Sequence, residues 1–249
     1  MTDHRWRTIG GDDAQSGTGN EATRPIDVVW SIVVAGGSGA RYGGPKTQEI
    51  LNGQRVLDWS LRAARSYANG VVLVVSADRL RAEHGRAEFV VEGGVTRAES
   101  VRCGLAAVPV HADIVVIHDA ARPLATPMLF ERVIDAVRDG ADAAIPAIAV
   151  VDTIKQVEKE RVVATLDRSA LVAVQTPQAF RASVLRRAHA DGGDATDDAG
   201  LVEAAGGSVV VVAGEERNRK LTTVDDLAIL GALIARPMEP DVDADRVDR

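Results

Sequence analysis

Cysteine is nearly missing from this chain: Cys103 is the single one in 249 residues. That excludes an internal disulfide and any cysteine-rich zinc site, and leaves Cys103 to be read as a small buried apolar side chain on a helix. Long apolar runs are missing as well. None approaches the ~20 residues that span a bilayer, and the polar N-terminus carries no apolar signal-peptide core. A positive excess is also lacking. The net charge is −7, which argues against a general nucleic-acid binder and requires any polyanion site to gather its Arg and Lys locally. These absences point to a cytoplasmic enzyme with neither a membrane nor a nucleic-acid partner.

Two common phosphate-binding motifs are approached and then broken. A P-loop needs Gly, four residues, then Gly-Lys-Ser/Thr. Gly39 and Gly44 have that gap, but Pro45 intervenes before Lys46-Thr47, and proline removes an N–H donor and fixes φ. A dinucleotide fingerprint needs Gly-x-Gly-x-x-Gly. Gly37-Ser38-Gly39 begins one, and Tyr42 stands where the third glycine belongs.

What is present is a glycine-rich turn after an apolar run. Ser31-Ile32-Val33-Val34 leads into Ala35-Gly36-Gly37-Ser38-Gly39-Ala40-Arg41, and Gly43-Gly44-Pro45-Lys46 follows. The run reads as a buried strand. The turn exposes backbone N–H groups on one side, a concavity that suits a phosphate chain, with Arg41 and Lys46 adding positive charge. An ordinary tight strand–helix loop is the plainer alternative for the turn taken alone.

At 46% hydrophobic residues the chain can bury the core of one large α/β domain or of two small ones. Residues 1–25 lack periodicity and read as a disordered leader; residues 236–249 read as a frayed tail. Between them, residues 26–235 alternate apolar runs with helical patterns. Strands are expected at 31–34, 71–75, 88–91, 114–117, 143–146, 171–174 and 209–212. Helices are expected at 56–67, after a Thr96 cap with Glu99 as a capping box, after Thr126-Pro127, and at 224–235 after Thr223. The alternation predicts a mainly parallel, doubly wound sheet with ligands at the carboxyl ends of its strands. Residues 148–170 break the pattern as a polar β-hairpin arm, either surface decoration or a dimerisation device.

A second cluster, His118-Asp119-Ala120-Ala121-Arg122-Pro123, follows the 114–117 strand. Asp119 there can hold Mg²⁺ against a triphosphate, and Arg122 can grip a second phosphate; a local Asp119–Arg122 ion pair is the plainer alternative. His118 reads as structural.

These segments occur in order with Gly93-Gly94, Arg97 and Ser100, then Asp152-Thr153-Ile154-Lys155, Asp167-Arg168, Gln175-Thr176-Pro177-Gln178, Thr196-Asp197-Asp198-Ala199 and Lys220-Leu221-Thr222. Over residues 28–234 the sequence resembles the 2-C-methyl-D-erythritol 4-phosphate cytidylyltransferases, sugar-alcohol phosphate cytidylyltransferases of non-mevalonate isoprenoid synthesis. The resemblance implies a Rossmann-like, three-layer nucleotidyltransferase fold with a protruding β-arm, a homodimer, and transfer of CMP from CTP to methylerythritol 4-phosphate with release of pyrophosphate. It implies that Ala35, Gly36, Gly37, Ser38, Gly39, Gly93, Gly94, Arg97, Ser100 and Ala120 surround the nucleotide. Arg41, Lys46, Lys220 and Asp119 would carry the chemistry, with Mg²⁺ near Asp119. Arg122, Thr153, Arg168, Thr176 and Lys220 would bind the alcohol phosphate, Thr153 and Arg168 coming from the neighbouring subunit's arm.

The chain departs from the family pattern at Thr47, Gln48, Val95 and Arg217. Rival readings are a ribitol-5-phosphate cytidylyltransferase, which the Gly36-Gly37 pair resembles, a catalytically silent nucleotide-binding paralogue, and a P-loop phosphatase or kinase, which Pro45 disfavours.

Overall fold

The structure is a computed structural model that describes residues 27–37, 42–190, 192–193, 195 and 197–236. The expected leader, the tail beyond Arg236, and Ser38, Gly39, Arg41 and Thr196 of the motifs lie outside the described residues.

The described chain opens with β1 (Val29–Val34), buried at every position but the last. A short hairpin of β2 (Ile50–Leu51) and β3 (Gln54–Arg55) feeds α1 (Val56–Arg65). Next come β4 (Gly70–Val75), the single turn α2 (Leu80–Glu83), β5 (Phe89–Glu92), α3 (Arg97–Ala107), β6 (Ile114–Asp119) and α4 (Pro127–Arg138). The second half runs through β7 (Ala143–Ala149), β8 (Lys155–Glu158), β9 (Arg161–Thr165), β10 (Val172–Val174) and β11 (Gln178–Arg181). It closes with α5 (Ala182–Ala190), α6 (Asp198–Ala204), β12 (Val209–Ala213) and α7 (Val224–Ala235).

The main sheet has eight strands. β5, β4, β1 and β6 are parallel neighbours, and β12 runs parallel to β7. β11 lies antiparallel between β6 and β7, and β10 extends the same edge of β7. This is the mostly parallel α/β sheet of the expected three-layer architecture. Successive strand residues serve opposite faces. Val33, Leu73 and Val116 pack with Leu57, Leu61, Leu129 and Val133 of α1 and α4. Their neighbours Ile32, Val74 and Val115 pack with Val101, Leu105, Leu185 and Val202 of α3, α5 and α6. Burial on both faces is why these strands read as unbroken apolar runs.

Three helix starts follow the sequence chemistry. The Thr96 hydroxyl accepts the Glu99 N–H at 3.1 Å, and the Glu99 carboxylate accepts the Thr96 N–H at 2.9 Å, a complete capping box. Thr126 caps α4 through the Leu129 N–H at 3.2 Å, with Pro127 at the first helical position. Before α7, the Asp226 carboxylate accepts the N–H groups of Thr222 and Thr223 at 2.9 and 2.8 Å.

Several elements escape the sequence pattern. β11, with Gln178 and Arg181 among its four residues, offers no apolar run, yet its first three residues are buried because β6 and β7 flank it. α5 and α6 are likewise additions to the expected set. α1 ends at Arg65, short of residue 67, and buries Val56, Leu57, Leu61, Ala63 and Ala64. Cys103 lies on α3 as expected but is only half-buried.

The 148–170 segment contains the expected hairpin. β8 and β9 form their own antiparallel pair, closed by Lys159 and Glu160, both at positive φ (42° and 68°). Two such residues make the turn whose twist matches paired strands. Among the described residues no helix is long and apolar enough to cross a membrane.

Candidate active site

The parallel register sets the carboxyl ends of four strands side by side. Val34 pairs across with Val74 of β4 and with Asp119 of β6, and Val75 pairs with Glu92 of β5. Past these ends lies a cavity of about 320 Å³. Ala35, Gly36 and Gly37 leave β1 along one wall, Gly94 to Arg97 enter α3 along another, and Lys46, Asp119 and Lys220 complete it. Sequence positions more than a hundred residues apart thus meet where only the sheet brings them together.

The glycine turn is partly committed to the sheet. The Ala35 N–H donates to the Val74 carbonyl at 2.7 Å, so that amide is not available to a phosphate. Gly94 is required by crowding: a Cβ there would stand 2.2 Å from the Glu99 Cβ. The capping carboxylate of Glu99 also accepts the Val95 N–H at 2.7 Å, fixing the loop that forms the wall.

Asp119 ends β6 and is buried at 8% exposure. Lys220 Nζ lies 2.5 Å from its Oδ2, and Arg97 Nε lies 3.5 Å from its Oδ1. Burial alone would raise the Asp119 pKa, but Lys220, Arg97 and Arg122 outweigh it and hold the carboxyl well below the usual range. Burial likewise opposes the charge on Arg97, and Asp198 and Asp119 overcome it, raising that pKa. Nη1 of Arg97 donates to Asp198 at 2.7 Å.

The plainer alternative, a local Asp119–Arg122 ion pair, does not form; Asp119 pairs with Lys220 and Arg97. Arg122 turns to the carbonyls of Asn218 (2.8 Å) and Val174 (3.3 Å). It lines a second cavity of about 190 Å³, together with Arg219 and Lys220. Lys220 borders both cavities and so joins them.

His118 is structural. It is fully buried, its Nε2 lies 3.1 Å from the Arg122 carbonyl, and its Nδ1 lies 3.2 Å from the Thr176 hydroxyl. Burial lowers its pKa to about 4. The Thr176 hydroxyl also accepts the Asp119 N–H at 3.0 Å.

The candidate residues therefore divide by position. Ala35, Gly36, Gly37, Lys46, Gly94, Arg97, Ser100, Asp119 and Lys220 line the larger cavity. Gly93, Ala120 and Thr176 stand behind its wall: the Gly93 N–H donates to Val75, and the Ala120 N–H and carbonyl bond Val34 and Ser60. Of the Ala120-Ala121 pair, Ala121 is the one that lines the cavity. Thr153 and Arg168 line neither cavity of the single chain; Arg168 donates to the Val151 carbonyl inside the arm. Ser38, Gly39 and Arg41 lie outside the described residues.

Two residues at the site were missed. Arg219 had a signal, its place in the run Arg217-Asn218-Arg219-Lys220. Asp198 sat in a quoted motif without a role. Of the departures, Thr47 and Val95 line the larger cavity, and Val95 is 99% exposed. Gln48 accepts from Arg55 Nη1 at 2.9 Å, while Arg217 donates to the Leu233 carbonyl at 3.4 Å, away from both cavities.

The family model of 2-C-methyl-D-erythritol 4-phosphate cytidylyltransferase matches residues 29–236. The enzyme of that name from Streptomyces avermitilis is 45% identical over 228 residues, covering 83% of this chain and 91% of the relative. The bifunctional enzyme IspD/IspF of Solidesulfovibrio magneticus is 42% identical over 84% of this chain, which spans 58% of that longer protein. Among solved structures, the 2-C-methyl-D-erythritol 4-phosphate cytidylyltransferase of Thermus thermophilus is similar with a TM-score of 0.71 and 34% identity, covering 82% of this chain and 97% of that one. Extending over nearly all the described residues, these matches and the strand-end cavity agree: the chain belongs to the 2-C-methyl-D-erythritol 4-phosphate cytidylyltransferase family.

Proposed function

We infer that the two joined cavities hold the two reactants of a cytidylyl transfer, CTP in the larger and the alcohol phosphate in the smaller. The chain is a cytidylyltransferase that joins CTP and 2-C-methyl-D-erythritol 4-phosphate into 4-diphosphocytidyl-2-C-methyl-D-erythritol and pyrophosphate. The observation that carries the two-site reading is Lys220, the cation shared by both cavities.

The nucleophile is a phosphate oxygen, already ionised at neutral pH, so no general base is needed. It forms a bond to the α-phosphorus of CTP as the bond to the bridging oxygen breaks, and pyrophosphate leaves. The obstacle is repulsion between two polyanions, which positioning and cationic side chains overcome. Lys46, Lys220 and Arg41 oppose the triphosphate charge. Arg122, with Arg219 beside it, holds the alcohol phosphate. Gly36, Gly37, Gly94, Arg97 and Ser100 wall in the nucleotide.

Mg²⁺ belongs to this reading. Among the described residues, Asp119 is the one carboxylate lining the larger cavity, and no cluster of three or more His, Cys, Asp or Glu gathers. Mg²⁺ is commonly held by one or two carboxylates plus substrate phosphates, so this donor set fits an ion that arrives with the triphosphate. When bound, it would neutralise charge on the α-phosphate and the departing pyrophosphate.

The active form in this reading is a homodimer. Val151, Val157, Val162 and Val163 of the arm are 49–76% exposed, and clustered exposed apolar side chains mark interaction surfaces. Packing there would carry Thr153 and Arg168 to the neighbouring site. Both substrates are phosphorylated and cross no bilayer unaided, which supports a cytoplasmic location.

The test is pyrophosphate release with CTP and Mg²⁺, comparing methylerythritol 4-phosphate with ribitol 5-phosphate. Release with the former alone is the expected result. Release only with ribitol 5-phosphate would move the chain to that branch, and silence with both would point to the catalytically silent reading.

A further inference from the structure

Behind the wall of the larger cavity runs a chain of charged and polar side chains from three separate elements. Arg97 opens α3, Asp198 opens α6, and His189 lies near the end of α5. Arg97 Nη1 meets Asp198 Oδ2 at 2.7 Å, while its Nε meets Asp119 Oδ1 at 3.5 Å. The other Asp198 oxygen, Oδ1, lies 3.1 Å from His189 Nε2. Asp198 and His189 are both buried, whereas the Arg97 side chain is 26% exposed, on the cavity side. Nδ1 of His189 is buried without a partner among the described residues, and because a carboxylate only accepts, Nε2 is the nitrogen that donates to Asp198.

Asp198 is itself held in place. Its neighbour Asp197 caps α6 by accepting the Gly200 N–H at 3.0 Å, and accepts Gln178 Nε2 of β11 at 3.0 Å through its other oxygen. The residue next to the one that grips Arg97 is thus tied to the sheet. A buried carboxylate is costly unless both oxygens are paired, and this one spends its pairing on a side chain that faces the cavity.

We propose that Asp198 is a positioning residue of the nucleotide site, fixing the Arg97 guanidinium in the cavity wall before CTP arrives, with His189 fixing Asp198 in turn. A long, rotamer-rich side chain held in its bound geometry loses less freedom on binding. The Arg97–Asp119 contact, at 3.5 Å, is the longer of the two that hold the guanidinium. The proposal rests on the assignment of the larger cavity to CTP.

A double-mutant cycle on the full chain tests it, with Asp198→Asn, Arg97→Ala and the pair. CTP affinity is read by calorimetry, KM and kcat by pyrophosphate release, and folding by thermal melts. Asp198→Asn should weaken CTP binding about tenfold, the size expected for a lost charge-assisted hydrogen bond. KM for CTP should rise with it, and kcat should move less. In the Arg97→Ala background the same change should leave CTP binding unaltered. His189→Gln, which keeps an N–H donor near the Nε2 position, should retain CTP affinity that His189→Ala loses. A lowered melting temperature with unchanged CTP affinity would overturn the proposal, and so would an equal loss in the Arg97→Ala background. Absence of CTP binding to the wild-type enzyme would overturn the cavity assignment itself, and the proposal with it.

Discussion

Asp119 is buried, yet it remains a carboxylate because Lys220 and Arg97 face its two oxygens. Such a carboxyl adds stability above the ordinary carboxylate range, lost only as pH falls well below it. Lys220 also borders both cavities, so its removal should damage chemistry more than folding. Lys220→Met should lower kcat/KM by ~10²–10³, the scale of losing one charge-stabilising donor, and Lys46→Ala should act in the same direction. Steady-state pyrophosphate release and thermal melts check this; unchanged kcat and kcat/KM would remove these lysines from the chemistry. His118 makes a separate prediction. Its ring is held neutral by burial down to about pH 4, against an ordinary value of 6.5. The unfolded chain therefore takes up the proton first. Its contribution is complete above pH 6.5 and falls as pH drops from 6.5 toward 4, by on the order of 3 kcal/mol across the window. Urea titrations at stepped pH should show that slope, and His118→Gln should flatten it.

At the scale of elements, one wall of the larger cavity is the start of a helix. Glu99 closes the capping box of α3 and also accepts the Val95 N–H, so one side chain stabilises the helix and shapes the loop. Glu99→Ala should cost ~1 kcal/mol, typical of a lost cap, and should raise KM for CTP because Gly94 and Val95 lose their anchor. Urea midpoints and CTP titrations together check this; a stability loss with unaltered KM would confine Glu99 to capping. The turn that carries Lys46 is braced in another way. Arg55, at the entry to α1, reaches Gln48 at 2.9 Å and the fully buried Glu83 at 2.8 Å, and Arg79 joins Glu83 at 3.3 Å. Gln48, a departure from the family pattern, therefore has a partner set that ties the Lys46 turn to α1 and α2.

At the scale of the whole molecule, the arm decides whether one chain suffices. Thr153 and Arg168 line neither of the two cavities, and the valines of the arm are exposed. If Arg168 completes the neighbour's site, two inactive variants should restore each other. Lys46→Ala mixed with Arg168→Ala gives hybrid dimers with one intact site, for a recovery of about a quarter of wild-type activity on random exchange in a twofold dimer. Activity and light scattering on the mixture check this. No recovery in confirmed hybrids would place Arg168 in its own chain's service.

The strands buried on both faces were legible in the sequence because such burial writes an unbroken apolar run, and the caps at Thr96 and Thr126 because capping is local chemistry. The glycine turn, Lys46, Asp119 and Lys220 were legible as motifs. β11 was not, since Gln178 and Arg181 mark it as polar and only its insertion between β6 and β7 buries it. Nor were the partners of the charged groups. Arg122 stands three residues from Asp119 in the chain, yet it bonds Asn218 and Val174, while Asp119 takes Lys220 from 101 positions away. Local order thus determined strands, caps and the motifs that carry the candidate side chains, because those depend on nearest neighbours and on burial pattern. Tertiary structure alone decided which cation faces which carboxylate and which lysine joins the two cavities, because Coulomb pairing follows distance in space, and the sheet sets that distance.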